Sequence, residues 1–116
     1  MSLLQKLEQQ RLSILDQIGK IRYMRRGTIN EQYLKVPQKE KEPLLRGPYY
    51  VLSRNEDGKT KSLRLNKSIL NQVRQDIEAY KEFQKLSKEY VDVTEALAQQ
   101  ERGAEDAETV KKTSLP

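Results

Sequence analysis

Apolar residues along the first stretch of the chain return every three or four positions. Leu4, Leu7, Ile14, Ile18 and Ile21 take the steps, and Arg11 fills the place between Leu7 and Ile14. This is the a/d seam of a helix of about 24 residues. Leu3, Leu12 and Leu15 widen the stripe beyond what one neighbour would cover. Gly19 interrupts the run at a cost of about 1 kcal/mol relative to alanine. Arg22, Arg25 and Arg26 fall in the expected last turn, where cations suit the negative end of the helix dipole. Gly27 then stands where a left-handed C′ residue would stop the helix.

The pattern changes after Gly27. Thr28-Ile29-Asn30-Glu31 has the spacing of a capping box and predicts a short helix over about 29–35, closed by Pro37. Gln38-Lys39-Glu40-Lys41-Glu42 reads as a polar, mobile connector ended by Pro43. A run of strand formers follows, Gly47-Pro48-Tyr49-Tyr50-Val51-Leu52-Ser53-Arg54, and returns as Lys59-Thr60-Lys61-Ser62-Leu63-Arg64-Leu65. A three-residue loop, Glu56-Asp57-Gly58, closed between Asn55 and Lys59, puts Tyr49, Val51, Leu63 and Leu65 on one face. Tyr50, Leu52, Arg54, Thr60, Ser62 and Arg64 then share a basic, hydroxyl-rich second face. A four-residue loop would set Leu52 opposite Lys61 and mix the two.

Asn66 or Ser68 caps a last helix of about 30 residues. Its apolar face is Ile69, Val73, Ile77, Tyr80, Phe83, Leu86, Tyr90, Val93 and Leu97. Gly103 ends it. The predicted fold is mainly α: an antiparallel two-helix coiled coil with a small head made of the short helix and a β-hairpin. Residues 1–102 form that single helical-hairpin domain, with the hairpin insert at about 47–65. Residues 103–116 read as a disordered tail with little to bury.

Charge sharpens this picture. Residues 20–74 hold 14 Lys/Arg against 5 Asp/Glu, a net of +9, within a chain of net charge +5. Residues 1–19 are neutral, with two of each sign. Residues 75–116 hold 6 against 10, a net of −4. A basic excess of this density is the footprint of a phosphate-binding surface. An acidic partner protein would be served as well. The 116 residues include no cysteine and no histidine. Thiolate chemistry is therefore excluded, and the commonest general base and metal ligand is missing. No cofactor is expected. The start, Met1-Ser2-Leu3-Leu4-Gln5-Lys6, lacks the apolar core of a signal peptide, and no run is long enough to cross a membrane. A soluble, cytoplasmic protein is expected.

Two clusters are candidate sites. Arg22, Arg25 and Arg26 on one helical turn could grip phosphates bidentately, or simply compensate the helix dipole. Arg54, Lys59, Lys61 and Arg64 on the hairpin, with Tyr50 interleaved, form a ribbon narrow enough for a DNA major groove, or an ordinary solvated edge. Glu78, Glu82, Glu89, Asp92 and Glu95 dot the last helix, and a solvated face explains them better than catalysis. The helical seams are core first, and a homodimer face second.

Met24-Arg25-Arg26-Gly27-Thr28 and Gly47-Pro48-Tyr49-Tyr50-Val51-Leu52-Ser53-Arg54, with Gly58-Lys59-Thr60-Lys61-Ser62, carry a resemblance. Over about residues 4 to 98 the chain resembles short bacterial proteins of unknown function found among transposons and other mobile elements. The resemblance implies an accessory role near DNA transactions. It singles out Arg25, Arg26, Gly47, Tyr49, Tyr50, Arg54, Gly58, Lys59 and Ser62. The Tyr-Tyr strand, Gly-Lys turn and basic return strand are also similar, at the level of fold analogy, to arm-site-binding domains of phage integrases.

The expectation is a non-enzymatic nucleic-acid-binding accessory protein, with DNA preferred to RNA. Its binding residues would be Arg22, Arg25, Arg26, Tyr49, Tyr50, Arg54, Lys59, Lys61, Ser62 and Arg64. The alternative is an adaptor or inhibitor that docks the same basic head on an acidic protein.

Overall fold

A computed structural model describes residues 2–114, with side chains over residues 2–103. The element order is α1 (Leu3–Lys20), β1 (Thr28–Gln38), β2 (Lys41–Glu56), β3 (Lys59–Leu65) and α2 (Lys67–Ser114). The three strands make one antiparallel sheet in the order β1-β2-β3. The fold is therefore two helices with a three-stranded sheet, and the expected two-helix coiled coil with a hairpin head is corrected. The reason lies in α2. Its residues Leu70, Val73 and Ile77 are spent on the sheet, where they form a buried cluster with Leu52 and Leu65. The same cluster takes Leu70 in place of the predicted Ile69, which is 39% exposed.

Two compact units divide the chain. The first is Met1–Arg22 with Glu82–Pro116. Here Ser2 caps α1: its hydroxyl accepts from the Gln5 amide while the Gln5 side chain accepts from the Ser2 amide. Ile14 and Leu86 are buried. Arg11, at the polar place in the apolar seam, donates to both carboxylate oxygens of Glu8 at 3.0 and 3.1 Å. Glu8 and then Tyr90 hold its pKa above the ordinary value. α1 ends at Lys20 with Ile21 as C-cap, six residues short of the predicted stop. In α2, Arg102 has non-helical backbone angles, one residue before the predicted end at Gly103. The tail expected over 103–116 falls almost wholly outside the residues with described side chains.

The second unit is Tyr23–Lys81. The segment read as a short helix is β1. Thr28, Ile29, Tyr33 and Val36 are β-branched or aromatic, and pairing with β2 satisfies their backbone over a long run. A local capping-box spacing does not compete with that many ladder bonds, and Thr28 lies opposite Ser53. The connector read as mobile is the turn of this ribbon, with Gln38 paired to Lys41 and Glu40 at φ 62. A register shift between Val36 and Gln38 accommodates Pro37 and Pro43, which have no amide to donate.

Gly27 does not stop a helix either. It enters the sheet at φ +137, where a Cβ would come within 2.7 Å of Leu52 Cδ1 and 3.0 Å of the Ser53 carbonyl oxygen. Only a residue without a side chain allows this approach.

β2 and β3 are joined by Asp57-Gly58, with Glu56 paired to Lys59 and both turn residues at positive φ, 53 and 78. This is a two-residue turn of the type favoured by Asp-Gly in hairpins. It shifts the pairing by one residue from the predicted three-residue loop, and so moves every β3 side chain to the other face relative to β2. Leu52 pairs with Leu63 and Tyr50 with Leu65, which puts Leu52 and Leu65 on the core.

Candidate functional site

The faces of the sheet follow from this register. One face carries Ile29, Tyr50, Leu52 and Leu65, packed with α2, and continues past the helix to Arg54, Glu56, Lys59 and Lys61. The other carries Thr28, Asn30 and Gln32 from β1, Tyr49, Val51, Ser53 and Asn55 from β2, and Thr60, Ser62 and Arg64 from β3. No carboxylate is among these ten residues, whereas Glu31 and Glu56 both belong to the covered face. The uncovered face is a panel of amides, hydroxyls, one tyrosine ring, one valine and one arginine. Thr28, Asn30, Gln32, Asn55, Thr60, Ser62 and Arg64 on it are exposed.

The predicted site residues are divided between the two faces. Tyr49 and Arg64 lie together on the uncovered face, with the guanidinium carbon 3.9 Å from the ring centroid. That contact fixes both groups. Ser62 is beside them, its hydroxyl 3.3 Å from that of Ser53. Tyr50 is on the covered face. Its hydroxyl donates to Glu31 at 3.4 Å, and Arg74 stands 5.6 Å from its ring. Arg54 and Lys61 are also on that face, and Glu56 takes both, at 3.1 and 3.3 Å. Lys61 first, then Arg54 and more weakly Arg26, hold the Glu56 carboxyl below the usual carboxylate range. Lys59 is exposed beside the turn. Arg25 donates its backbone amide to the Asp76 carbonyl at 2.9 Å and lines a small cavity with Leu52, Arg54, Lys61 and Ser62. Arg22, Arg25 and Arg26 lie beyond the end of α1, so the single helical turn expected to hold them does not exist. The expected single basic face with Tyr50 interleaved is likewise corrected: one residue of register separates Tyr50, Arg54 and Lys61 from Ser62 and Arg64.

A second feature lies at the end of β3. That strand pairs with β2 only from Tyr50 to Glu56, while β1 and β2 run on as a two-stranded ribbon past Gly47. The notch is a cavity of about 650 Å³ lined by Arg46, Tyr49, Tyr50, Arg64 and Lys67 among others. Among the described residues, no carboxylate pairs with Arg46, Arg64 or Lys67. Sequence reasoning missed Arg46 and Lys67. The signal that would have found them is the Asp57-Gly58 dipeptide, because a two-residue turn fixes where β3 ends relative to β2.

Glu78 pairs with Lys81 at 3.3 Å, and no three metal-ligating side chains come together among the described residues. No helix of the described residues is long and apolar enough to cross a membrane. No family model, no curated protein and no solved structure matches this chain.

Proposed function

We propose that this chain is a non-enzymatic nucleic-acid-binding accessory protein that meets DNA with the uncovered face of its sheet. One observation carries the reading: a ten-residue face, left open by the helix that covers its reverse, holds hydrogen-bonding side chains and an arginine but no carboxylate. Sheet faces and ribbons of this width enter grooves. Amide and hydroxyl side chains suit phosphate and base edges, and an anion surface tolerates no acid. Arg64, pinned over Tyr49, is the central contact, with Asn30, Gln32, Thr60 and Ser62 around it. Arg54 and Lys61, engaged by Glu56, act from the rim.

A cytoplasmic location and a place beside mobile elements belong to this proposal through the motif resemblance alone. A homodimer belongs to it as well, supported by Leu3, Leu12 and Leu15, which stay 53%, 52% and 40% exposed on α1.

Fluorescence anisotropy of labelled duplex and single-stranded DNA tests the reading. The pair Asn30→Asp with Thr60→Glu places two acids on the face without touching the core. It should weaken binding roughly tenfold or more at low salt, since each acid repels the phosphates the face would meet. Equal binding by this variant and the wild type would remove the face from the interface. No binding by the wild type at any salt would favour an acidic protein partner, to be sought by pull-down.

A further inference from the structure

The notch at the end of β3 concentrates charge more than any part of the open face. Arg46 sits in the β1–β2 ribbon opposite Leu34, Arg64 is the penultimate residue of β3, and Lys67 opens α2. The three side chains line one concave space. Each lacks a carboxylate partner among the described residues. Three like charges around one cavity repel unless an anion joins them. Arg64 cannot swing away at no cost, because its guanidinium rests on the Tyr49 ring. The start of α2 is not the source of this charge: Asn66 already accepts the Ser68 amide at 3.3 Å.

We propose that this notch binds a phosphate monoester, the terminal phosphate of a nucleotide or of a nucleic-acid strand. Charge selects the monoester. A phosphate monoester carries about −1.5 to −2 at pH 7 and draws more from three cations than an internal diester, which carries about −1. Size agrees. A cavity of about 650 Å³ is in the range of small-molecule sites and holds a phosphate with its sugar and base. Arg46 and Arg64 supply planar forks for bidentate contacts, and Lys67 a point charge. The proposal rests on the nucleic-acid reading only for the source of the phosphate. A free nucleotide would fill the notch by the same chemistry.

Titration of the full chain with inorganic phosphate, followed by heteronuclear NMR, is the first arm. The expected result is saturable shifts at the amides of Arg46, Gly47, Tyr49, Arg64 and Lys67. Uniform small shifts across all basic residues would overturn the site. The second arm compares one oligonucleotide with a 5′-phosphate or a 5′-hydroxyl in anisotropy. The 5′-phosphate should bind roughly tenfold tighter, as lost charge-assisted hydrogen bonds imply. That advantage should vanish in Arg46→Ala and in Lys67→Ala, both at exposed positions, and persist in Asn30→Asp/Thr60→Glu. An advantage that survives Arg46→Ala and Lys67→Ala would sink the proposal. Saturable phosphate shifts at the notch without binding of either oligonucleotide would leave the notch as a free-nucleotide site and sink the sheet-face reading instead.

Discussion

Glu56 shows how one carboxylate can divide a basic segment into two kinds of cation. It accepts from Lys61 and Arg54, and both hold its pKa down. Those two cations are thereby committed to an intramolecular partner, while Arg64 commits to a tyrosine ring that leaves its charge unneutralised. The pKa shift makes a pH prediction. The folded pKa lies below the unfolded one, so the stabilisation is complete above the usual carboxylate range. It is lost as pH falls through that range and below. Urea unfolding of wild type and Glu56→Gln should therefore differ at neutral pH and converge in acid. The difference should also shrink with salt, because these ion pairs are open to solvent on the Lys61 side and only half-buried at Glu56 and Arg54. A difference that grows as pH falls would mean that Glu56 does not act through its charge.

At the scale of elements, the deciding event is a shift of one residue between β2 and β3. Tyr49, Val51, Leu63 and Leu65 were expected on one face, yet the two-residue turn pairs Leu52 with Leu63 and buries Leu52. Leu52→Ala should then cost about 2–5 kcal/mol in urea denaturation followed by circular dichroism. Leu63→Ala, at a position 55% exposed, should cost less than about 1 kcal/mol. The reverse ranking would restore the shifted register. The case also marks what was legible. The existence of β2, β3 and α2 can be read locally, from strand formers around Asp57-Gly58 and a long 3.6-residue period. β1 cannot. Its residues carry a helix-start spacing, and only their pairing with β2, up to 25 positions away at Thr28 and Ser53, makes them a strand. The candidate site inherits this limit. Arg64 and Tyr49 are both legible as candidate residues, but their common face depends on the turn. Arg46 and Lys67 meet only because β3 stops where the ribbon continues.

The whole molecule carries its charge as a dipole along the chain, +9 over residues 20–74 and −4 over residues 75–116. Net charge alone would let all 14 cations of the basic segment share in binding, and a duplex would then be held by diffuse attraction. The side-chain geometry says otherwise: Arg64 is the one cation among the ten residues of the open face, and Arg54 and Lys61 at its rim are engaged by Glu56. Salt dependence separates these two views, because each phosphate contact releases counterions. The face with its rim, Arg64, Arg54 and Lys61, predicts a slope no steeper than about −2.7 for log affinity against log salt on duplex DNA, and about −2.1 on a single strand. Engagement of every basic residue would give a slope beyond about −10. Arg64→Ala should make the duplex slope shallower by about 0.9, and Arg54→Ala should leave it nearly unchanged. Equal changes for both variants would mean that the field of the whole segment, and not the open face, holds the nucleic acid. A slope near zero would hand the basic segment to a partner recognised by packing, because burial of apolar surface is nearly indifferent to ionic strength in this range.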